Sequence, residues 1–201
     1  MSLARYLADS VKVLEQAAAR WPEDLVERAV QTVVGALKSG NPVLVCGNGG
    51  SAADAMHITG ELVGRFLVDR KALNVICLAS NTAVLSAWAN DNSYDTVFAR
   101  QVEAYGKPGA VLLGISTSGM SANVISAFER ARALGMKTIA LTGEGGGKLA
   151  ALSDYLFAVP SRSTPLIQQA HICIYHYFCQ AIEQAFAPES VAHSAAAPIR
   201  G

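Results

Sequence analysis

The sequence predicts an α/β protein with a doubly wound, five-stranded parallel sheet and a pair of helices at its N-terminus. Five short segments are almost wholly apolar and rich in β-branched residues, as is typical of strands that are buried on both faces. Segments with the apolar spacing of helices lie between them. Because strands and helices alternate, we expect parallel strands with helices covering both faces of the sheet.

The N-terminal helical pair comes first along the chain. Apolar residues recur at helical spacing from Leu3 to Leu14 and predict the first helix. Pro22 starts a second amphipathic segment, in agreement with the preference of proline for the first turn. A Ser-Gly-Asn-Pro sequence at residues 39–42 ends this helix.

The alternating part of the chain follows. The predicted strands are residues 43–46, 74–79, 110–116, 137–143 and 155–160. The predicted helices are residues 51–67, 82–104 with a break near 90–93, 121–134, 147–153 and 164–186. Five such strands suit a flavodoxin-like sheet. We expect one domain over residues 1–187, with the N-terminal helices included, and a flexible tail over 188–201.

Composition limits the classes of protein that the chain can be. Its 201 residues are 51% hydrophobic and only 16% charged, which excludes a disordered chain and predicts contacts between subunits. Lys and Arg number 16, as do Asp and Glu, so the net charge is 0. This balance predicts no direct binding to nucleic acid and no attraction to an anionic membrane.

The sequence also predicts the compartment. No run of about 18 apolar residues is present, so we expect no transmembrane helix. The N-terminal segment, with Asp9 and Glu15 inside its apolar pattern, is unlike a signal peptide. The cysteines have no CxxC spacing and are interpreted as buried free thiols: Cys46, Cys77, Cys173 and Cys179. Together these features predict a cytoplasmic protein.

Two donor-rich turns follow the first and third predicted strands, where parallel sheets bind ligands. The first is Gly-Asn-Gly-Gly-Ser at residues 47–51, and the second is Ser-Thr-Ser-Gly-Met-Ser at residues 116–121. Each ends at a predicted helix N-terminus, which favours an anion. Tight turns and helix caps would explain either turn alone, but two on one sheet edge favour a phosphate site. Neither turn matches a dinucleotide fingerprint or a P-loop.

A polar stripe runs along the helix that follows the first turn. Asp54, His57, Glu61 and Arg65 lie on it at i, i+3, i+7 and i+11. His57 and Glu61 are neighbours on the helix surface, where they could share a metal ion or place an imidazole and a carboxylate beside a ligand. The alternative is a solvated stripe with a Glu61–Arg65 ion pair.

Further polar residues lie near the same edge of the sheet. Gln168 and His176 can face one cavity from the last helix, whereas His171 lies on a different face. A lone histidine such as His176 is more typical of a core position than of a ligand. Asn90 and Asp91 follow an apolar segment beyond the second strand, where side chains could bind sugar hydroxyls.

Several of these segments together resemble the phosphoheptose isomerase family of the sugar isomerase (SIS) superfamily. The resemblance extends from about residue 5 to residue 186, and residues 46–66, 88–106, 109–124, 140–150 and 167–176 carry it. It implies isomerisation of sedoheptulose 7-phosphate to D-glycero-D-manno-heptose 7-phosphate through an enediol, for nucleotide-heptose synthesis towards lipopolysaccharide, capsule or a related glycan. It also implies a cytoplasmic homotetramer with active sites between subunits and one zinc ion per subunit.

The resemblance implies roles for particular residues. The implied zinc ligands are His57, Glu61, Gln168 and His176. The implied substrate-binding residues are Asn48, Gly49, Gly50, Ser51, Glu61, Asn90, Asp91, Ser116, Thr117, Ser118, Ser121 and Gln168. Glu61 and His176 match the proposed acid/base pair. Ketose–aldose interconversion needs a base, an acid and a group that stabilises an oxyanion. We expect Glu61 to move the carbon-bound proton and His176 to serve the oxygens.

The last helix departs from the family pattern at its start. Pro165 and Leu166 stand where a charged pair is usual, and Gln169 replaces a glutamate. Another heptose configuration, or another ketose phosphate of pentose or hexose size, is therefore an alternative substrate. A non-catalytic SIS scaffold that binds a bacterial replication initiator is the alternative from a different class of function. Such scaffolds typically lose polar positions of the two turns or of the His–Glu pair, and this chain keeps them.

Overall fold

The computed structural model describes residues 2–188, so the predicted tail lies outside the described residues except for Pro188. The helices are α1 (Leu3–Ala18), α2 (Glu23–Lys38), α3 (Gly50–Val63), α4 (Thr82–Asp91), α5 (Val97–Tyr105), α6 (Ala122–Ala133) and α7 (Thr164–Gln184). The strands are β1 (Val43–Gly47), β2 (Val75–Cys77), β3 (Val111–Ser116), β4 (Lys137–Thr142) and β5 (Tyr155–Ala158). Within residues 2–188, every helix is too short or too polar to cross a lipid bilayer.

All five strands pair in parallel, in the order β2-β1-β3-β4-β5, which confirms the predicted fold class. The chain passes from β1 to β2 on one side and then returns to place β3 on the other side of β1. The ends of β1 and β3 are in register, with Gly47 opposite Ile115. This reversal of strand order makes the edge above β1 and β3 the preferred ligand-binding position of such a sheet.

The sheet is buried on both faces, as the apolar runs predict. Val43 and Val45 of β1 belong to one core cluster, together with apolar residues of α2, α3 and α7. Leu44 and Cys46 belong to the opposite cluster, with residues of α5 and α6. Successive side chains of a strand point to opposite faces, so an uninterrupted apolar run is what a covered sheet requires.

The helix predicted over residues 147–153 is present as a 3-10 helix over Gly147–Leu152, which follows glycines with positive φ at Gly145 and Gly146. Two other local expectations were wrong. Helix α3 ends at Val63 rather than at residue 67, because the chain turns away at Gly64. Cys173 is exposed, whereas the other three cysteines are buried free thiols as expected. The predicted break near residues 90–93 is confirmed, since α4 ends at Asp91.

The segment that follows α3 is fastened to α7 by a buried carboxylate. Glu183 is only 1% exposed and accepts hydrogen bonds from the backbone N–H groups of Phe66, Leu67 and Val68 at 2.9, 2.6 and 2.9 Å. Arg70 lies 3.4 Å from the same carboxylate and donates to the backbone oxygen of Glu61 at 2.8 Å. Glu183 and Arg70 therefore connect the irregular segment after α3 to α7 through side-chain contacts.

Substitution Glu183→Gln should destabilise the protein by about 3–5 kcal/mol, because it leaves the buried Arg70 guanidinium without its counter-charge. Urea unfolding followed by circular dichroism measures this change. The matched control is Glu144→Gln, which removes an exposed carboxylate paired with Arg162 and should change stability by at most about 1 kcal/mol. Similar small losses in both variants would contradict the structural role of Glu183.

Candidate active site

The first donor-rich turn connects β1 to α3 and is built around glycines. A Cβ atom on Gly47 would lie 2.5 Å from the backbone oxygen of Ser51, so a side chain cannot fit there. Gly49 has φ +56° and starts α3 as its N-terminal cap. Gly50 and the buried Ser51 form the first turn of α3, whose N-terminus therefore faces the edge above β1. This placement fits the predicted anion site.

The second turn connects β3 to α6 and gathers three serine hydroxyls. Ser116 Oγ lies 2.9 Å from Ser121 Oγ and 3.5 Å from Ser118 Oγ. Gly119 has φ +64° and packs against the backbone oxygen of Gly146, so that a side chain there would clash. The first turn of α6 carries no acidic side chain. Hydroxyls and a helix N-terminus thus meet without a repelling charge.

Two asparagines join the two turns. Asn48 Nδ2 donates to Asn123 Oδ1 at 2.8 Å, and Asn123 Nδ2 donates back to Asn48 Oδ1 at 2.9 Å. Tyr94 Oη also donates to Asn48 Oδ1 at 3.1 Å. Sequence reasoning assigned no role to Asn123 or Tyr94. Asn123 stands in the same motif as the serines, two residues after Ser121, and this spacing was the available signal.

A cluster of two imidazoles and a carboxylate lies where α3 packs against α7. One potential ligand atom from each of His57, Glu61 and His176 lies within 4.8 Å of the others. His57 Nε2 is 2.9 Å from Glu61 Oε1, and the ring centroids of His57 and His176 are 5.1 Å apart. We call these three residues the His–Glu–His cluster. Their atoms could hold a metal ion or handle protons beside a bound ligand.

Burial shapes the chemistry of this cluster. His176 Nε2 is buried and has no hydrogen-bond partner within residues 2–188. Burial and the neighbouring His57 lower the pKa of His176, although Glu61 opposes this effect. His171, by contrast, is a core histidine that donates to the backbone oxygen of Thr142, and burial lowers its pKa to about 4. The different faces predicted for the two histidines are therefore confirmed.

The other implied site residues occupy different places. The side-chain amide of Gln168 packs against Gly50 in the first turn. Gln168 precedes His176 by about two helical turns on α7. Asn90 and Asp91 are exposed at the end of α4, where Asn90 Nδ2 donates to Asp91 Oδ1 at 2.9 Å. Among the hydrogen bonds of residues 2–188, neither side chain reaches the two turns or the His–Glu–His cluster.

The departures at the start of α7 have structural explanations. Pro165 occupies the first turn of α7, where proline is favoured because its missing N–H has no helical partner. Gln169 Nε2 donates to Tyr6 Oη at 3.0 Å and so links α7 to α1. Both positions therefore contribute to helix formation and packing.

Comparisons with known proteins agree with this geometry. Residues 5–143 match the family model of the SIS domain. A phosphoheptose isomerase from Crocosphaera subtropica is 52% identical over 79% of this chain and 81% of its own length. Phosphoheptose isomerase structures from Neisseria gonorrhoeae (TM-score 0.85, 40% identity) and Francisella tularensis (TM-score 0.86, 37% identity) each cover 90% of this chain and 96% of theirs. The chain therefore belongs to the phosphoheptose isomerase family of SIS-domain proteins.

Proposed function

We propose that the protein is a sugar-phosphate isomerase that interconverts sedoheptulose 7-phosphate and D-glycero-D-manno-heptose 7-phosphate through an enediol. The His–Glu–His cluster, packed between the helix that leaves the first turn and the last helix, carries this proposal. Relatives named phosphoheptose isomerase, one of them from Helicobacter pylori at 48% identity over 82% of this chain, support the choice of substrate. Retention of both turns and of the cluster favours an enzyme over a non-catalytic scaffold.

The phosphoryl end of the substrate binds at the second turn in this proposal. Ser116, Thr117, Ser118 and Ser121 supply the hydroxyls, and the α6 N-terminus adds backbone N–H groups. The hydrogen bonds that the serines now make with one another would be exchanged for bonds to phosphate oxygens. The sugar would be bound by residues of the first turn and by the adjacent Gln168 of α7; the turn residues are Asn48, Gly49, Gly50 and Ser51. Its hydroxyls would be bound by Asn90 and Asp91.

Proton transfer is assigned to Glu61 and His176. In the aldose-forming direction, Glu61 removes the proton from C1 of the ketose and delivers it to C2 of the enediol. His176 takes the proton from the O1 hydroxyl and provides one to O2, so that atoms and charges balance. A lowered pKa favours the neutral ring of His176, which is the form in which an imidazole can act either as a base or as a metal ligand.

The donor set of the cluster fits zinc. Two imidazoles and a carboxylate are typical ligands of a catalytic zinc ion, and His176 Nε2 is buried without a partner within residues 2–188. We assign His57, Glu61 and His176 as ligands and retain Gln168 as the fourth implied one. Zinc bound there would polarise the carbonyl and hydroxyl oxygens of the sugar as a Lewis acid.

Exposed apolar surface supports the proposed homotetramer with active sites between subunits. Leu3, Leu7 and Val11 form a stripe along α1 and are 73%, 54% and 52% exposed. Tyr177 on α7 is also exposed, and α1 and α7 border an apolar cavity of about 520 Å³. A second subunit would remove this surface from water. We further propose a cytoplasmic role in heptose synthesis for lipopolysaccharide or a related glycan, and the four free cysteines are compatible with that compartment.

Substitution Glu61→Gln should lower the rate of isomerisation about 100- to 10,000-fold, because an amide cannot remove the C1 proton. Turnover of sedoheptulose 7-phosphate and zinc content are measured on the same samples. Glu129→Gln, an exposed change on α6, is the control and should retain full activity. Full activity of the Glu61 variant would remove this residue from the mechanism.

Substitution Ser121→Ala should raise KM for sedoheptulose 7-phosphate about tenfold or more with little change in kcat, since it removes one hydrogen bond to a charged phosphoryl group. Steady-state kinetics give both constants. Ser39→Ala removes an exposed hydroxyl at the C-terminal cap of α2, beyond the opposite end of β1 from the first turn, and it should leave KM unchanged. An unchanged KM in both variants would place the phosphoryl group elsewhere.

A further inference from the structure

Asp54 and Tyr175 extend the His–Glu–His cluster into the protein interior. Tyr175 is only 1% exposed, and its hydroxyl lies 2.9 Å from His57 Nδ1. The same hydroxyl donates to Asp54 Oδ1 at 3.4 Å. Asp54 is itself buried, and its Oδ2 has no partner within residues 2–188. A continuous chain of polar contacts therefore runs from Asp54 through Tyr175 and His57 to Glu61.

The hydrogen that the Tyr175 hydroxyl donates to Asp54 sets the direction of these polar contacts. A tyrosine hydroxyl carries one hydrogen, so a hydroxyl that donates to Asp54 can only accept from His57. His57 Nδ1 must then carry the ring hydrogen, and in the neutral ring Nε2 is left with a lone pair. That lone pair faces Glu61 Oε1 at 2.9 Å. Two acceptors this close repel each other, and a cation bound beside them would relieve this repulsion.

We propose that Tyr175, held by Asp54, is a positioning residue that keeps His57 in its Nδ1–H tautomer and thereby presents Nε2 as a metal ligand. The inference rests on the metal centre of the proposed function. Tyr175 acts through His57, because its buried hydroxyl is occupied by His57 and Asp54. Outer partners of this kind typically change metal affinity by 10- to 100-fold when they are removed.

The surroundings of Tyr175 support a fixed orientation. Its ring meets the rings of His57 and His176 edge to face, at centroid distances of 5.4 and 5.0 Å. A phenol ordinarily has a pKa of about 10 and keeps its hydrogen at neutral pH, as the polar contacts with Asp54 and His57 require.

The tautomer can be measured directly by ¹⁵N NMR on the full-length, metal-free protein labelled at histidine, at a pH where the rings are neutral. The chain has 4 histidines, and a His57→Asn variant assigns the signals of His57. We expect the Nδ1–H form in the wild type and a shift to the Nε2–H form in Tyr175→Phe, where Nε2–H can donate to Glu61. An Nε2–H form in the wild type would overturn the inference. That form would result if Asp54 were protonated and every hydrogen bond from Asp54 to Glu61 ran in the opposite direction. The same tautomer in both proteins would overturn it too.

Zinc affinity provides a second readout, measured by competition with a chromophoric chelator. Tyr175→Phe keeps the aromatic packing and should weaken Zn²⁺ binding about 10- to 100-fold. The matched control is Tyr155→Phe, whose hydroxyl bonds Thr32 instead, and it should bind Zn²⁺ like the wild type. Equal affinity in Tyr175→Phe and the wild type would contradict the positioning role. A wild-type protein that binds no Zn²⁺ would instead contradict the proposed metal centre, and the tautomer measurement would then decide the role of Tyr175.

Discussion

The packing of α7 against α3 is the contact on which the candidate site depends. It joins residues that are 118 positions apart in the chain, as the bond between His57 and Tyr175 illustrates. The same contact places His176 beside His57 and Glu61, and it buries Glu183 against the segment that follows α3. Neither helix carries a complete site, so the chemistry exists only when the two are held together.

Three polar atoms at or beside this interface are buried without hydrogen-bond partners within residues 2–188. They are Asp54 Oδ2 on α3, His176 Nε2 on α7 and Arg70 Nε in the segment that follows α3. Each unsatisfied buried group costs stability, and such groups persist at sites where function needs them. The apolar faces of α3 and α7 offset this cost by packing on the sheet, where Ile58, Leu62 and Phe178 are buried. The apolar sides of α3 and α7 thus pack on the sheet, whereas their polar sides form the His–Glu–His cluster.

The sequence could predict what depends on local pattern. Alternation of apolar runs and helices predicted the sheet, and it also predicted that the glycine- and serine-rich turns after β1 and β3 lead into helices. The i, i+4 spacing of His57 and Glu61 predicted their contact, which the distance of 2.9 Å confirms. Pro165 stands where the family usually has a charged residue, and it is also a favourable first-turn residue of α7.

Long-range pairing could not be predicted in this way. The reciprocal bonds of Asn48 and Asn123 join residues 75 positions apart, and nothing in either local segment indicates the partner. Glu183 had the appearance of an ordinary helix residue, yet it is buried because three backbone N–H groups of a distant loop surround it. Tyr175 is the sequence neighbour of His176, and the local pattern gives it no further role. Its hydroxyl acquires a role once α3 supplies Asp54 and His57.

Exchange of the C1 protons of sedoheptulose 7-phosphate in deuterated water, together with deuterium at C2 of the aldose product, tests the central claim most directly. The full-length protein is incubated with this ketose phosphate and, separately, with pentose and hexose ketose phosphates, and proton NMR follows the exchange. We expect deuterium incorporation and aldose formation with sedoheptulose 7-phosphate, at rates well above those with the shorter sugars. Exchange only with a shorter ketose phosphate would contradict the proposed substrate, and no exchange with any of them would contradict an isomerase.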